Sequence, residues 1–266
     1  MPTTEVARYS AALKNSFAYK TTIQRWPTIL TQVVDGLFQQ CHALSVHGTA
    51  SHTKVEEAKS IIEQISQLKY ELTHNKALTP IGVRSDNAPR IGSFHAPVTE
   101  PYDDIIRRSD LTWFQSDWLF AECYLYRRLR HFFEISNEWK ENDPFNSLKN
   151  DAFRASGRGV GACATWMDNI LSKSETHNTA SPDTKSTFQD MVYSSLWGNA
   201  MDLSLLLNIT DGELQKRQSA SEKERSDKIQ HIIVNDMDAL WNKVHGITER
   251  RADFVLENAG FELVTD

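Results

Sequence analysis

Two apolar stripes at helical spacing constrain this chain more than any other feature of it. Behind Pro27, the residues Ile29, Leu30, Val33, Val34, Leu37, Phe38 and Cys41 recur three, four and seven positions apart, which is the spacing of one helix face. Pro27 suits a first helical turn, where its missing N–H costs nothing. Val55, Ala58, Ile61, Ile62, Ile65, Leu68 and Leu72 repeat the pattern. Both helices should turn these faces into a core.

The stripes then stop. From Thr73 to Pro101 the chain is rich in Pro, Gly, Asn and Ser without periodicity, and a long connection is expected over about 73–109. So long a loop suggests a lid or a surface wrap. Asp110 can cap a third helix carrying Leu111, Phe114, Trp118, Ala121, Leu125, Leu129 and Phe132. Asp143-Pro144-Phe145 has the layout of a helix start, and Gly157, Gly159 and Gly161 are expected to interrupt the helix after Phe153. Ser172 to Lys185 is polar and reads as a loop, and Phe188 to Leu207 as a helix. A last apolar series runs from Ile229 to Val244, with Asp236 as a cap. The expected fold is mainly α: a helical domain over 1–245, then one strand within 246–266.

That strand is the run Ala252, Phe254, Val255 and Leu256, followed directly by Glu257 and Asn258. In open α/β sheets ligands gather at the carboxyl ends of strands. A carboxylate and an amide carbonyl are hard oxygen donors suited to a divalent cation. Ala259-Gly260 permits a tight turn, and Phe261 to Thr265 can begin a helix whose first amides would suit a phosphate. The plainer reading of the same residues is a strand ending in a polar turn. Asn199 and Asp202 lie three apart and share a helix face, beside a Gly198 that weakens the helix by about 1 kcal/mol against Ala. Either something approaches the backbone there, or Gly198 is a packing notch with the two polar residues bonded internally. Glu122, flanked by apolar residues, is read as the partner of a nearby arginine.

Several function classes drop out. A net charge of −6 gives no footprint for nucleic acid, and the cluster Arg127, Arg128 and Arg130 is read as one helix surface. No apolar run reaches the roughly 18 residues of a membrane span, and the polar N-terminus lacks a signal-peptide layout, so an intracellular chain is expected. The three cysteines are odd in number and far apart, which disfavours disulfides and zinc and predicts reduced core residues. The nine histidines show no ligand spacing, and no strand precedes the alternating glycines as a phosphate loop requires.

Ser16 to Tyr19 with Arg25 to Leu30, Glu122 to Leu129, Asp143 to Phe145, Leu196 to Asn199 with Asp202 to Ser204, and Asn258 to Leu263 together resemble one family in order and spacing, the damage-control phosphatases. The resemblance covers most of the chain. It implies a helical N-terminal region on a C-terminal α/β/α domain. The implied activity is metal-dependent hydrolysis of sugar phosphates such as fructose phosphates, with Mn, Co, Ni or Mg as the ion. It further implies that Glu257 and Asn258 stand where the family has an Asp-Asn metal pair, and that Glu262 belongs near a methyl-donor site, with Asn199 and Asp202 in the substrate vicinity.

Glu for Asp lengthens the ligand arm by roughly 1.5 Å, against a positioning tolerance of about 0.5 Å. The family's second metal-binding Asp falls beyond Asp266. The chain is therefore expected to be a truncated member in which hydrolysis is impaired or lost. Its partner would be a small phosphorylated metabolite, its location the cytoplasm or nucleus. Two alternatives stand beside this reading. One is an S-adenosylmethionine-dependent protein-glutamate O-methyltransferase, the other a non-catalytic helical module acting on a full-length paralogue.

Overall fold

The structure is a computed structural model of the 266-residue chain. It describes residues 9–46, 48, 51–81, 100–174, 182–199, 229–245, 251, 253–256 and 260–266, with the backbone alone at a few helix ends such as Asn199. Among these the regular structure is helical, and two isolated β-bridges are the remaining pairings. The mainly α expectation holds. The chain divides into two compact units, residues 1–147 and 148–266.

In the first unit, α1 (Phe17–Lys20) runs through a π-helical turn at Thr21–Arg25 into α2 (Trp26–Val46), and α3 (His52–Thr73) folds back along it. Serine oxygens cap the starts of α1 and α3: Ser16 Oγ accepts from Tyr19 N and Ser51 Oγ from Lys54 N, each at 3.1 Å. The two stripes meet as expected. Leu30, Val33 and Leu37 pack with Ala58, Ile61, Ile65, Leu68 and Leu72, all buried, and α5 (Trp118–Glu134) covers them with Ala121, Tyr124, Leu125, Leu129 and Phe133, while Ile29 is buried as well. Phe38 departs from its stripe and stays exposed.

Two boundaries differ from the sequence reading. α5 starts after Asp117, not Asp110. Residues 111–113 instead lie along 76–78: Leu78 N donates to Leu111 O at 2.8 Å and Trp113 N to Lys76 O at 3.2 Å. A distant segment thus takes the backbone groups a local helix would have used, and Trp113 is buried by it. Asn75, at φ 49°, turns the chain there and accepts from Phe114 N through Oδ1. The expected connection over 73–109 also contains a helix, α4 (Glu100–Arg107), whose buried Asp103 accepts from Ile81 N at 2.6 Å. Residues 82–99 of that connection lie outside the described residues.

The basic cluster is not a helix surface. Arg127 is buried and pairs with Glu134, Arg128 pairs with Glu71, and Arg130 donates to the carbonyls of Lys140 and Asn142. The charges are spent internally. Glu122 is the ion-pair member the sequence suggested, accepting from Arg25 Nη2 and, at 3.2 Å, from the Trp26 indole N–H.

In the second unit, α6 (Asn146–Ala155) and α7 (Gly157–Ser174) are separated by the single buried Ser156. The glycines therefore begin a helix and do not interrupt one. A Cβ at Gly157 or Gly161 would meet nothing, so these glycines permit no close approach. α8 (Pro182–Asn199) packs with α9 (Met237–Val244) through Phe188 on Trp241, ring centres 5.3 Å apart, and through Lys185 to Asp238 at 2.7 Å. Asn235, not Asp236, accepts from the first amide of α9, Met237 N, at 3.2 Å. Residues 253–256 pair with no strand among the described residues, and Phe254, Val255 and Leu256 are exposed. The chain ends in α10 (Phe261–Thr265), the short helix expected there. No helix among the described residues is long and apolar enough to cross a membrane.

The first unit generates two predictions. Glu122→Ala strands the Arg25 guanidinium and the Trp26 indole N–H, whose shared partner has a side chain only 15% exposed. Urea unfolding is expected to show a loss of about 3 kcal/mol, and the Arg25→Ala/Glu122→Ala double variant less than the sum of the singles. His131, on α5, is held below its ordinary pKa first by burial and then by the Arg127 guanidinium, with Glu134 and Asp103 opposing the shift in part. The unfolded chain accordingly takes up a proton that the folded chain refuses. Stability present above the ordinary histidine pKa is lost as pH falls through it towards the folded value. Replacing His131 by Gln should flatten the decline in urea midpoint between about pH 7 and 5.

Candidate functional site

The C-terminal motif residues reach their positions through one close approach. α10 lies against the last turn of α8, and a β-carbon added at Gly198 would overlap Thr265 Oγ1 and sit 2.9 Å from Thr265 Cβ. Only a residue without a side chain fits there. One turn earlier on the same face, Ser195 Oγ donates to Asp266 Oδ1 at 2.7 Å. These two grips hold a helix of five residues that is too short to be stable alone. Gly198 is therefore the notch, one of the two readings the sequence left open, and the C-terminal segment itself enters it.

The start of α10 is set by a second glycine. Gly260, at φ 75° and ψ −138°, adopts backbone geometry that a residue with a β-carbon avoids, and the position where its Cβ would stand lies 3.9 Å from Phe153 N of α6. This turn delivers Glu262 into the first turn of α10. There the carboxylate is buried, at 6% exposure, and it is engaged rather than free. An acid in the first turn suits the partial positive charge of a helix start.

Of the sequence-derived site residues, Glu262 is described with its side chain and Asn199 with its backbone alone, at the end of α8 beside Gly198. The α8–α10 contact brings the elements bearing these two residues together. Glu257, Asn258 and Asp202 lie outside the described residues. Among the described residues no group of three or more His, Cys, Asp or Glu side chains is arranged to hold a metal ion. The fit of a cation accordingly rests on donor chemistry: Glu257 and Asn258 are adjacent hard-oxygen donors of the kind Mg and Mn take.

Burial raises the Cys41 and Cys123 thiols above their ordinary pKa, which disfavours the thiolate a nucleophile needs, and Cys41, Cys123 and Cys163 form no disulfide. Cys123 is exposed, contrary to the expectation that all three sit in the core. Ser195, Thr265 and Asp266, which dock α10, escape sequence reasoning. Small polar residues of that kind carry no periodic signal, and their partners are distant along the chain.

Likeness to known proteins extends over nearly the whole chain. The sequence model of the damage-control phosphatase ARMT1-like domain matches residues 21–266. Damage-control phosphatase ARMT1 of Danio rerio is 30% identical over 265 residues, covering 97% of this chain and 57% of that protein. The Rattus norvegicus protein of the same name is 32% identical over 267 residues, 97% of this chain and 57% of its own length. The Homo sapiens protein is 30% identical over 261 residues, 94% and 56%. The chain spans a little under three fifths of the length of these relatives.

The notch generates a direct test. Gly198→Ala should cost about 2 kcal/mol of local stability, as overpacking does, seen as lost hydrogen-exchange protection in the α10 amides. Thr265→Gly in the Gly198→Ala background should return most of that protection. Thr265→Ala should return less, because its β-carbon still stands 2.9 Å from the new methyl. Unchanged exchange in Gly198→Ala would show that α10 is held by something else.

Proposed function

The chain belongs to the damage-control phosphatase ARMT1-like family, and from that premise we propose that it hydrolyses the phosphate monoester of a small sugar phosphate, of the fructose phosphate class, with a divalent cation at Glu257 and Asn258. When bound, such an ion polarises the phosphoryl oxygens and lowers the pKa of an attacking water. The chain's own part is to hold and orient. Glu257 supplies a carboxylate and Asn258 an amide carbonyl, both suited to Mn, Co, Ni or Mg.

The single observation that supports this reading is the α8–α10 contact. It joins two segments that carry the family resemblance, Leu196 to Asn199 and Asn258 to Leu263, through the Gly198 notch. Two residues after the proposed donor pair, Gly260 turns the chain and Glu262 is buried in the first turn of a docked helix. A donor pair that precedes a fixed element has less freedom to lose on binding an ion than one on a free tail. Asn199, at the end of α8, and Asp202 beyond it are the polar residues assigned to the substrate side of this site. Work on a soluble phosphometabolite in the cytoplasm or nucleus belongs to the same proposal.

The longer arm of Glu257 reduces the rate. A displacement of roughly 1.5 Å exceeds the tolerance for positioning a reacting centre. Phosphate release from fructose 1-phosphate by the 266-residue chain should rise with added Mn, Co, Ni or Mg and fall on chelation. Glu257→Asp should raise the rate about tenfold, the equivalent of roughly 1.4 kcal/mol of barrier, and Asn258→Ala should reduce it to background. Phosphate release indifferent to chelator, or unaltered in Asn258→Ala, would overturn the proposal.

A further inference from the structure

The connection between α5 and α6, residues 135–145, contains no helix or strand, yet it is fastened at more points than a linker needs. On α3, Glu57 Oε2 accepts from the amides of Asn137 at 3.1 Å and Glu138 at 2.8 Å, while Oε1 accepts from Asn137 Nδ2 at 3.3 Å. The Trp139 indole N–H donates to Lys54 O at 2.9 Å, and the Trp139 amide to Ser136 Oγ at 3.0 Å. Arg130 holds the carbonyls of Lys140 and Asn142 from the other side, at 2.6 and 2.9 Å. A connection pinned by side chains of α3 and α5 keeps its shape before anything binds to it.

Beside it opens a cleft of about 510 Å³, between the connection, the last turns of α2 and the start of α3. That size lies within the range of small-molecule sites. Its apolar wall is made by Leu44, Ala43 and Trp139, the last only 3% exposed. Three charged side chains line the cleft, Lys54, Glu138 and Glu141, and none of them forms an ion pair among the described residues. Lys54 Nζ stands 5.0 Å over the Trp139 ring, which orients the ammonium without neutralising it.

Those charges select the guest. A purely cationic ligand would meet the Lys54 ammonium, and a purely anionic one the two carboxylates. A molecule carrying both signs, with an apolar part for the wall, satisfies all the groups. We propose that this cleft binds a free α-amino acid with an aliphatic side chain. The carboxylate pairs with Lys54, the ammonium with Glu138 and Glu141, and the side chain lies along Leu44 and Trp139. This site lies wholly within the first unit, and its test does not depend on phosphatase activity.

The test titrates the 266-residue protein with L-leucine and follows the Trp139 indole N–H and the 138–142 amides by nitrogen-15 NMR. Saturable shifts at millimolar concentration are expected. Leucine amide, lacking the carboxylate, and isocaproate, lacking the ammonium, should each bind about fivefold more weakly, the scale of one solvent-accessible ion pair. Lys54→Met keeps the aliphatic stem and should lower leucine affinity by about the same factor, while leucine amide, relieved of a like charge, binds no more weakly than before. Glu138→Gln/Glu141→Gln should do the reverse, weakening leucine while isocaproate, relieved of like charges, binds no more weakly than before. Absence of saturable shifts with leucine, or equal binding of all three compounds, would overturn the proposal. Should a variant fail to fold, the three ligands on the unaltered protein still decide the question.

Discussion

The first unit depends on how one buried indole is satisfied. Trp26 has no exposed surface, stacks on Trp118 with ring centres 6.4 Å apart, and meets Trp113 edge-on. So large a side chain at the root of α2 contributes much apolar burial, but its N–H must find an acceptor inside. Glu122 on α5 is that acceptor. A carboxylate at such a position requires a cation in turn, and Arg25, one residue before the indole, provides it. The π turn at Thr21–Arg25 leads directly into this group, and Thr22 inside it is fully buried with its hydroxyl returned to Ala18 O at 2.9 Å. One tryptophan thus explains why two sequence motifs distant from each other, Arg25-Trp26 and the glutamate of α5, belong together.

The second unit solves a different problem. Its helices hold fewer large buried side chains among the described residues, and it relies on specific approaches rather than on a broad apolar interface. A five-residue helix cannot repay its own nucleation cost, so α10 exists because α8 accepts it. The acceptance is steric first, through the missing side chain of Gly198, and polar second, through Ser195 and Asp266. A glycine inside a helix costs the helix about 1 kcal/mol; here the cost lies on α8 and the benefit on the segment that crosses it.

The legibility of the sequence divides along the same line. The stripes on α2 and α3 can be read because burial on one helix face leaves a period, and the period depends only on neighbours along the chain. The start of α5 escapes that reading because Leu111 and Trp113 keep helical spacing while their backbone groups bond to residues 76–78, a pairing no local pattern records. α4 is hidden by its setting, eight residues at the end of a stretch rich in turn formers. The arginine cluster can be placed on α5 from its spacing, but whether its charges face water or Glu71 and Glu134 is decided by how the chain folds back on itself. At the candidate site, Gly198 announces that something comes close without saying what. Thr265, the residue that does, is small and carries no signal of its own.

The two glycines of the second unit divide one task. Gly260 allows the backbone to turn at a φ of 75°, and Gly198 allows the helix beyond that turn to be seated. Either alone would be insufficient: a turn without a seat leaves α10 to fray, and a seat without the turn directs Glu262 away from its buried position. The requirement is geometric and indifferent to chemistry, so it holds whether the residues before Gly260 bind a cation or not. It also separates two kinds of change at this end of the chain. A side chain added at 198 acts on position and alters everything after the turn together, whereas under the proposed function Glu in place of Asp at 257 changes only the reach of one proposed donor.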